Sequence, residues 1–151
     1  HDPNRLKGTS WCLQLATAIA YSNGLLHWVS IPEDMRAAFP QNSLERSVFT
    51  SIPVLWEETI VLPGAGIGEL APLARRNGKT WFVGVINGSK AGNYVLPLKF
   101  LGSDRWRMTV LEDLIEKPDG WQVSEAQVSS DRTLTVKLRS SGGFVARFTP
   151  A

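Results

Sequence analysis

Thr80-Trp81-Phe82-Val83-Gly84-Val85-Ile86 is the stretch that decides the fold, because its apolar side chains fall on both faces of an extended chain. Successive side chains of a β-strand point to opposite faces, so a strand that is apolar at every position has both faces buried. The stretch therefore predicts the central strand of a sheet that is covered on both sides.

Apolar and polar residues alternate in the segments on both sides of this strand. Turn-forming residues such as Asn87-Gly88 and Ser141-Gly142-Gly143 separate the segments. This pattern predicts a mainly β fold, an antiparallel β-sandwich of about eight strands. Pro72 lacks a backbone N–H, which places its strand near a sheet edge. The other predicted strands occupy about residues 54–62, 69–76, 94–100, 106–110, 121–128, 134–138 and 144–148.

The first third of the chain has a helical period instead. Thr9 or Ser10 can cap a helix whose apolar side chains cover nearly every face, as in a helix that is buried inside a protein. Two or three short α-helices are predicted before the sandwich, at about residues 10–22, 32–39 and 43–52. We therefore predict a helical segment at residues 1–53 and a β-sandwich domain at residues 54–151.

The composition excludes several classes of protein. The 16 Lys and Arg residues are spread along the chain and nearly balanced by 14 Asp and Glu residues, which is not the pattern of a nucleic-acid-binding surface. The apolar runs are far shorter than the ~20 residues that span a membrane. Cys12 is the single cysteine, so an intrachain disulfide and a cysteine-based zinc site are excluded.

The acidic residues do not form a predicted catalytic pair. Glu57 and Glu58 are adjacent on a predicted strand, so their side chains are expected to point to opposite faces. Glu112, Asp113 and Glu116 lie near a strand end, where solvated surface positions are expected. The chain has two histidines, too few for a histidine-rich metal site. No catalytic residue and no metal ligand is predicted.

Six tryptophans are the remaining candidates for a binding function. Trp56, Trp81 and Trp106 fall on core-facing positions of their predicted strands. Trp121 and Trp28 lie next to turn residues or helix starts, where an indole ring can stack on a sugar. Core packing is the expected role of the tryptophans, and Trp121 and Trp28 are the positions that would form a carbohydrate platform in the alternative interpretation.

Three consecutive segments resemble the C-terminal region of glycoside hydrolase family 97. They are SIPVLWEETIVL at residues 51–62, IGE at 67–69 and ARRNGKTWFVG at 74–84. That family has a Val-Pro-x-x-Trp-Asp-Glu-Thr stretch, a Gly-Glu-Tyr strand and an Ala-Arg-Arg-x-Gly-x-x-Trp-Tyr-x-Gly strand in this order and at this spacing. The likeness covers about residues 9–149.

The resemblance implies bacterial α-glucosidases or α-galactosidases built from an N-terminal β-sandwich, a central (β/α)8 barrel and a C-terminal antiparallel sandwich. The first predicted helix would be the last helix of the barrel. The catalytic carboxylates and the calcium of such enzymes lie upstream of the aligned region, so this chain would hold no cofactor, and calcium is expected only for the complete enzyme.

The expected function is therefore that of a non-catalytic C-terminal portion, which packs against and stabilises the catalytic barrel. The chain starts at His1 and is expected to begin partway into a longer polypeptide, in the bacterial periplasm or secreted if it follows the family. The alternative is a stand-alone sandwich that binds carbohydrate or self-associates through the apolar helix. Expected partners are the barrel, a second copy or an oligosaccharide, and neither nucleic acid nor a membrane.

Overall fold

A computed structural model of the chain describes residues 8–21, 39–117 and 119–151. The predicted helix at residues 32–39 and Trp28 lie outside these residues, apart from Phe39 itself. The described helices are α1 (Trp11–Ala20) and α2 (Leu44–Ser51), and the described strands are β1 (Glu58–Val61), β2 (Leu70–Asn77), β3 (Thr80–Asn87), β4 (Gly92–Pro97), β5 (Trp106–Asp113), β6 (Trp121–Val128), β7 (Thr133–Leu138) and β8 (Gly143–Pro150).

The strands form two antiparallel sheets. Six strands lie side by side in the order β1-β2-β3-β8-β5-β6, and β4 pairs with β7 in a smaller sheet. β8 pairs with β3 on one side and with β5 on the other, so it joins the two halves of the larger sheet. The predicted mainly β, antiparallel sandwich is confirmed.

Two apolar clusters cover the two faces of the larger sheet. The sandwich core lies between the two sheets, and a helix-side cluster lies between the larger sheet and the two described helices. The strand β3 contributes to both clusters, with Val83 and Val85 in the sandwich core and Phe82 in the helix-side cluster. The prediction that β3 is central and buried on both faces is therefore confirmed.

The first strand begins later than predicted. β1 starts at Glu58, and the residues from Val54 to Glu57 precede it. The ring of Trp56 lies edge-on against Phe82 in the helix-side cluster, at 5.5 Å between ring centroids. Ile60 instead packs on the sandwich core, so the predicted single alternating run from Val54 to Leu62 was wrong.

β2 does not lie at the sheet edge, because it pairs with both β1 and β3. The carbonyl oxygen of Pro72 accepts a hydrogen bond from Leu62 N at 2.9 Å. The N–H and C=O of one strand residue point to the same side, so the missing N–H of Pro72 faces the segment just after β1 ends. Proline is tolerated there because the ladder of backbone hydrogen bonds is already ending.

Both described helices begin at the predicted serine or threonine type of cap. Ser10 Oγ accepts a hydrogen bond from Leu13 N at 3.0 Å, and Ser43 Oγ accepts one from Arg46 N at 3.2 Å. Such caps satisfy backbone N–H groups that have no partner within the first turn. Helix α1 ends at Ala20, two residues before the predicted Ser22.

Tyr94 links the smaller sheet to the glycine-rich connection between β1 and β2. Its hydroxyl donates a hydrogen bond to Pro63 O at 2.9 Å. A Cβ atom on Gly64 would lie 3.3 Å from Tyr94 Cε2, so the ring packs closely against this connection. The two sheets are thus joined at this end by a polar contact as well as by the apolar core.

Stability is expected to depend on the ionisation of Tyr94 at high pH. Burial raises the pKa of the Tyr94 hydroxyl to about 12, whereas an unfolded tyrosine titrates near pH 10. The unfolded chain then loses this proton first, so the free energy of unfolding is at its full value below about pH 10 and falls as the pH rises towards 12. Urea unfolding of the native chain and of Tyr94→Phe measures this effect.

Tyr94→Phe is expected to cost about 1 kcal/mol at neutral pH, because Pro63 O loses its donor. The variant should lose less stability than the native chain between about pH 9 and about pH 11, because phenylalanine does not titrate. Parallel pH curves for the two proteins would contradict the raised pKa of Tyr94.

Candidate functional site

Helix α1 crosses the helix-side face of the larger sheet and touches β3 and β8 at two glycines. A Cβ atom on Gly84 would lie 3.0 Å from Ile19 Cβ and 3.1 Å from Ala16 O. A Cβ atom on Gly143 would lie 2.5 Å from Leu13 Cα, a separation that packed atoms do not reach. Glycine lets the helix backbone approach the sheet at both positions. The helix is therefore seated directly on the two central strands.

The amino end of α1 is held by the buried carboxylate of Asp113, which is only 5% exposed. Asp113 Oδ2 accepts hydrogen bonds from Ser10 Oγ at 2.6 Å and from Gly143 N at 2.8 Å. Asp113 Oδ1 accepts a longer one from Cys12 N at 3.4 Å. One side chain from β5 thus binds the start of α1 and the start of β8.

The predicted solvated position of Asp113 was wrong. Thr109, Leu111 and Asp113 share the helix-side face of β5, and all three are buried. Glu112 points to the other side, where Glu112 Oε1 accepts a hydrogen bond from Gln122 Nε2 at 2.5 Å. The alternation of β5 separates these adjacent acids, and the position of α1 buries only Asp113.

The carboxyl end of α1 is held by Arg75 on β2. Arg75 Nη1 donates a hydrogen bond to Tyr21 O at 3.4 Å, just beyond the last helical residue. The guanidinium also lies over the ring of Trp56, 5.5 Å from its centroid. A carboxylate at the amino end and a guanidinium at the carboxyl end both match the helix dipole. Burial lowers the pKa of the Arg75 guanidinium.

Arg147 on β8 ties the larger sheet to α2. Its Nη1 donates to Ser47 O at 2.8 Å and to Ser51 Oγ at 3.2 Å, and its Nη2 donates to Ser47 Oγ at 3.2 Å. The side chain thus bonds two turns of one short helix. Both described helices are therefore bound to the sheet by polar contacts as well as by apolar packing.

The free thiol of Cys12 lies inside this contact and is fully buried. Burial, followed by the nearby carboxylate of Asp113, raises the pKa of Cys12 well above its usual range. The thiol therefore stays protonated near neutral pH and packs as a small apolar group.

The sheet covers one side of α1 and leaves the rest of the helix partly accessible. Cys12, Ala16 and Ile19 are fully buried against the sheet. Leu13 and Thr17 are half-buried, and Tyr21 just after the helix is 66% exposed. The half-buried flank is the part of α1 that further protein could cover.

Trp121 lies at the start of β6 and is half-buried. Its ring stacks on Phe39 at 5.8 Å between centroids and meets Trp11 edge-on at 6.5 Å. These contacts put Trp121 at the border of the helix-side cluster. The carbohydrate platform of Trp121 and Trp28 stays a prediction.

Glu57 and Glu58 do not point to opposite sides as predicted, because both bind one side chain. Arg76 Nη1 lies 2.7 Å from Glu57 Oε2, and Arg76 Nε lies 3.0 Å from Glu58 Oε2. Glu57 precedes β1, so the alternation of a strand does not apply to it. The arginine compensates charge on both carboxylates at the sheet edge.

Trp81 and Trp106 are buried in the sandwich core, which confirms their predicted core positions.

Within residues 8–21, 39–117 and 119–151, no group of three His, Cys, Asp or Glu side chains is placed to hold a metal ion. The described helices include none that is long and apolar enough to span a membrane.

A family model described as glycosyl-hydrolase 97 C-terminal, oligomerisation, matches residues 55–149. The chain belongs to this family. The family 97 chain is 30% identical over 146 residues to a probable retaining alpha-galactosidase of Streptomyces bingchenggensis, covering 97% of this chain and 22% of that protein. It is 28% identical over 143 residues to a retaining alpha-galactosidase of Bacteroides thetaiotaomicron, covering 90% of this chain and 20% of that protein.

Solved structures show the same fold. The family 97 chain superposes on a glycoside hydrolase family 97 enzyme from Pseudoalteromonas sp. strain K8, in complex with acarbose, with a TM-score of 0.83 and 23% identity. The match covers 95% of this chain and 23% of that enzyme. A beta-arabinopyranosidase matches with a TM-score of 0.73 and 21% identity, over 92% of this chain and 21% of that one. The chain thus spans about a fifth of the length of its curated relatives.

Proposed function

We propose that this chain is the non-catalytic C-terminal module of a larger enzyme of the α-glucosidase or α-galactosidase class. In this proposal the module packs against and stabilises a catalytic barrel, and it is also where copies of the enzyme associate. The family match and the much longer alpha-galactosidase relatives support the assignment as a C-terminal module of a larger enzyme. The oligomerisation role described for the family supports the association of copies through this module.

The observation that carries the proposal is the docking of α1 on the sheet. The helix is seated on Gly84 and Gly143, and Asp113 and Arg75 bind its two ends. If α1 is the last helix of a barrel, as the resemblance implies, the sandwich fixes one side of that helix. The half-buried flank of α1 is then the surface that the barrel covers.

The calcium expected for the complete enzyme is proposed to bind outside this chain, in the N-terminal domain and the barrel. Bacterial periplasmic or secreted location is likewise proposed from the family. Neither proposal assigns a role to a residue of this chain.

Hydrogen exchange of the full chain tests whether α1 and the sandwich form one unit. We expect the amides of residues 15–19 to exchange within about tenfold of those in β3 and β8, because α1 can leave the sheet only by exposing the helix-side cluster. The amides of the short edge strand β1 serve as the internal comparison and should exchange faster. Exchange of α1 at the rate of β1 would contradict a packing role.

Turnover by the chain alone checks the non-catalytic part of the proposal. Aryl α-glucoside and aryl α-galactoside, incubated with the chain and calcium chloride, should release no more aryl alcohol than in buffer. Calcium-dependent release would overturn this part and leave the hydrogen-exchange result unaffected.

A further inference from the structure

Strand β6 is one edge of the larger sheet within the described part of the chain. It pairs with β5 at eight consecutive positions, from Asp113 opposite Trp121 to Trp106 opposite Val128. The register is continuous and has no bulge. The opposite side of β6 therefore presents an uninterrupted backbone edge.

The backbone groups that face outward can be assigned from two hydrogen bonds beside the ladder. Leu114 N donates a hydrogen bond to Gly120 O. The backbone N–H and C=O groups of the even-numbered residues of β6 therefore point towards β5. Ala151 N donates a hydrogen bond to Arg105 O, so the backbone N–H and C=O groups of the odd-numbered residues of β5 point towards β8. Those of the even-numbered residues of β5 then face β6, which agrees with this assignment. The N–H and C=O groups of Val123, Glu125 and Gln127 therefore point away from the sheet.

β6 carries fewer of the features that block strand addition than the other described edges do. Natural edges are protected by short strands, proline or charge, above all lysine. β1 has four residues and begins at a glutamate, β4 ends at Pro97, and β7 contains Lys137. β6 has eight residues without proline, lysine or arginine.

The single charged side chain of β6, Glu125, is exposed but is hydrogen-bonded to its own sheet. Glu125 Oε1 accepts a hydrogen bond from the buried Thr109 Oγ1 at 2.9 Å. Glu125 also interacts electrostatically with Arg147 on β8. Gln122, Ser124, Ala126 and Gln127 are exposed and neutral, so no uncompensated charge opposes a second strand.

We infer that two copies of this chain associate by antiparallel pairing of their β6 strands about a two-fold axis at Ser124. The inference rests on the oligomerisation role in the proposed function and assigns that role to one surface. An edge strand that pairs antiparallel with a copy of itself gives a closed, symmetric contact.

Charge disfavours one of the two neighbouring registers. With the axis at Ser124, Val123 lies opposite Glu125 of the second copy, and these residues exchange about four backbone hydrogen bonds. The register centred on Glu125 would place two carboxylates directly opposite each other, which is unfavourable. The pairing extends the antiparallel sheet from one copy into the next.

A cysteine at the axis tests the register. Ser124 of the two copies forms a pair that is not hydrogen-bonded, with Cα atoms ~4.5 Å apart, which a disulfide can bridge. We expect Ser124→Cys to form a disulfide-linked dimer with oxidised glutathione, read on a non-reducing gel. Cys12 is buried and does not compete.

Ala126→Cys is the matched control, since Ala126 is exposed on the same face of the same strand. In the proposed register its two copies are ~14 Å apart along the strands, so no disulfide should form. Equal cross-linking of both variants, or none of Ser124→Cys, would overturn the pairing.

Sedimentation velocity measures the oligomeric state and so tests this inference separately from the proposed function. Ser124→Lys places two ammonium groups opposite each other and should weaken dimerisation by up to about fivefold in Kd. If the native chain is a dimer that Ser124→Cys does not cross-link and Ser124→Lys does not weaken, the β6 contact is overturned, but oligomerisation of the chain stands. A native chain that stays monomeric at high concentration overturns both, while hydrogen exchange still decides the packing role.

Discussion

Replacing Gly143 with alanine is expected to lower the free energy of unfolding by about 3 kcal/mol. The added methyl group would lie 2.5 Å from both Leu13 N and Leu13 Cα, and 2.6 Å from Cys12 C. These atoms belong to a helix backbone, which cannot move aside as a flexible side chain would. The helix α1 must therefore shift off β8, and the packing of the helix-side cluster is lost with it.

Urea unfolding, followed by tryptophan fluorescence, measures this change, and Gly92→Ala is its matched control. Gly92 also lies in a strand, and a Cβ atom there would meet nothing within 4 Å. The control should change stability by less than about 0.5 kcal/mol. Similar stabilities for Gly143→Ala and Gly92→Ala would show that α1 is not held in the observed position.

Replacing Asp113 with alanine is expected to cost about 4 kcal/mol of stability. The change removes the acceptor of Ser10 Oγ, Gly143 N and Cys12 N together. Each donor is buried, and a buried donor without an acceptor costs its full desolvation free energy. The favourable charge at the amino end of α1 is lost as well.

Asp113→Asn separates the shape of this side chain from its charge. Asparagine can keep one oxygen towards Ser10 and Gly143, and it places an amide group against Cys12 N. We therefore expect a smaller loss of about 2 kcal/mol in the same urea experiment. Equal losses for the two variants would assign the effect to charge alone, and no loss in either would contradict the anchoring role of Asp113.

The parts of the fold that follow from local pattern could be predicted from the sequence. β3 is apolar on both faces because both of its faces are buried, and Ser10 caps α1 because its hydroxyl reaches a backbone N–H three residues on. The family could be identified because its ordered segments follow one another from the end of α2 to β3, where the sequence carries both packing and turn residues.

The parts that depend on distant contacts could not be predicted in this way. Asp113 is buried by a helix about a hundred residues earlier in the chain, so its own neighbours in sequence resemble a solvated strand end. The orientation of Pro72 depends on the register of β1, and Glu57 meets Glu58 at Arg76 because β1 begins one residue later. In each case the deciding partner lies on another element.

The position of β8 has a consequence for synthesis on the ribosome. Among the described elements α1 is made first and β8 last, yet β8 supplies Gly143 and joins the two halves of the larger sheet. Translation from the end of α1 to Gly143 takes roughly 6 to 25 s at the usual rates. During that time the apolar helix has no completed sheet to pack against, so α1 must be kept from aggregating until β8 emerges.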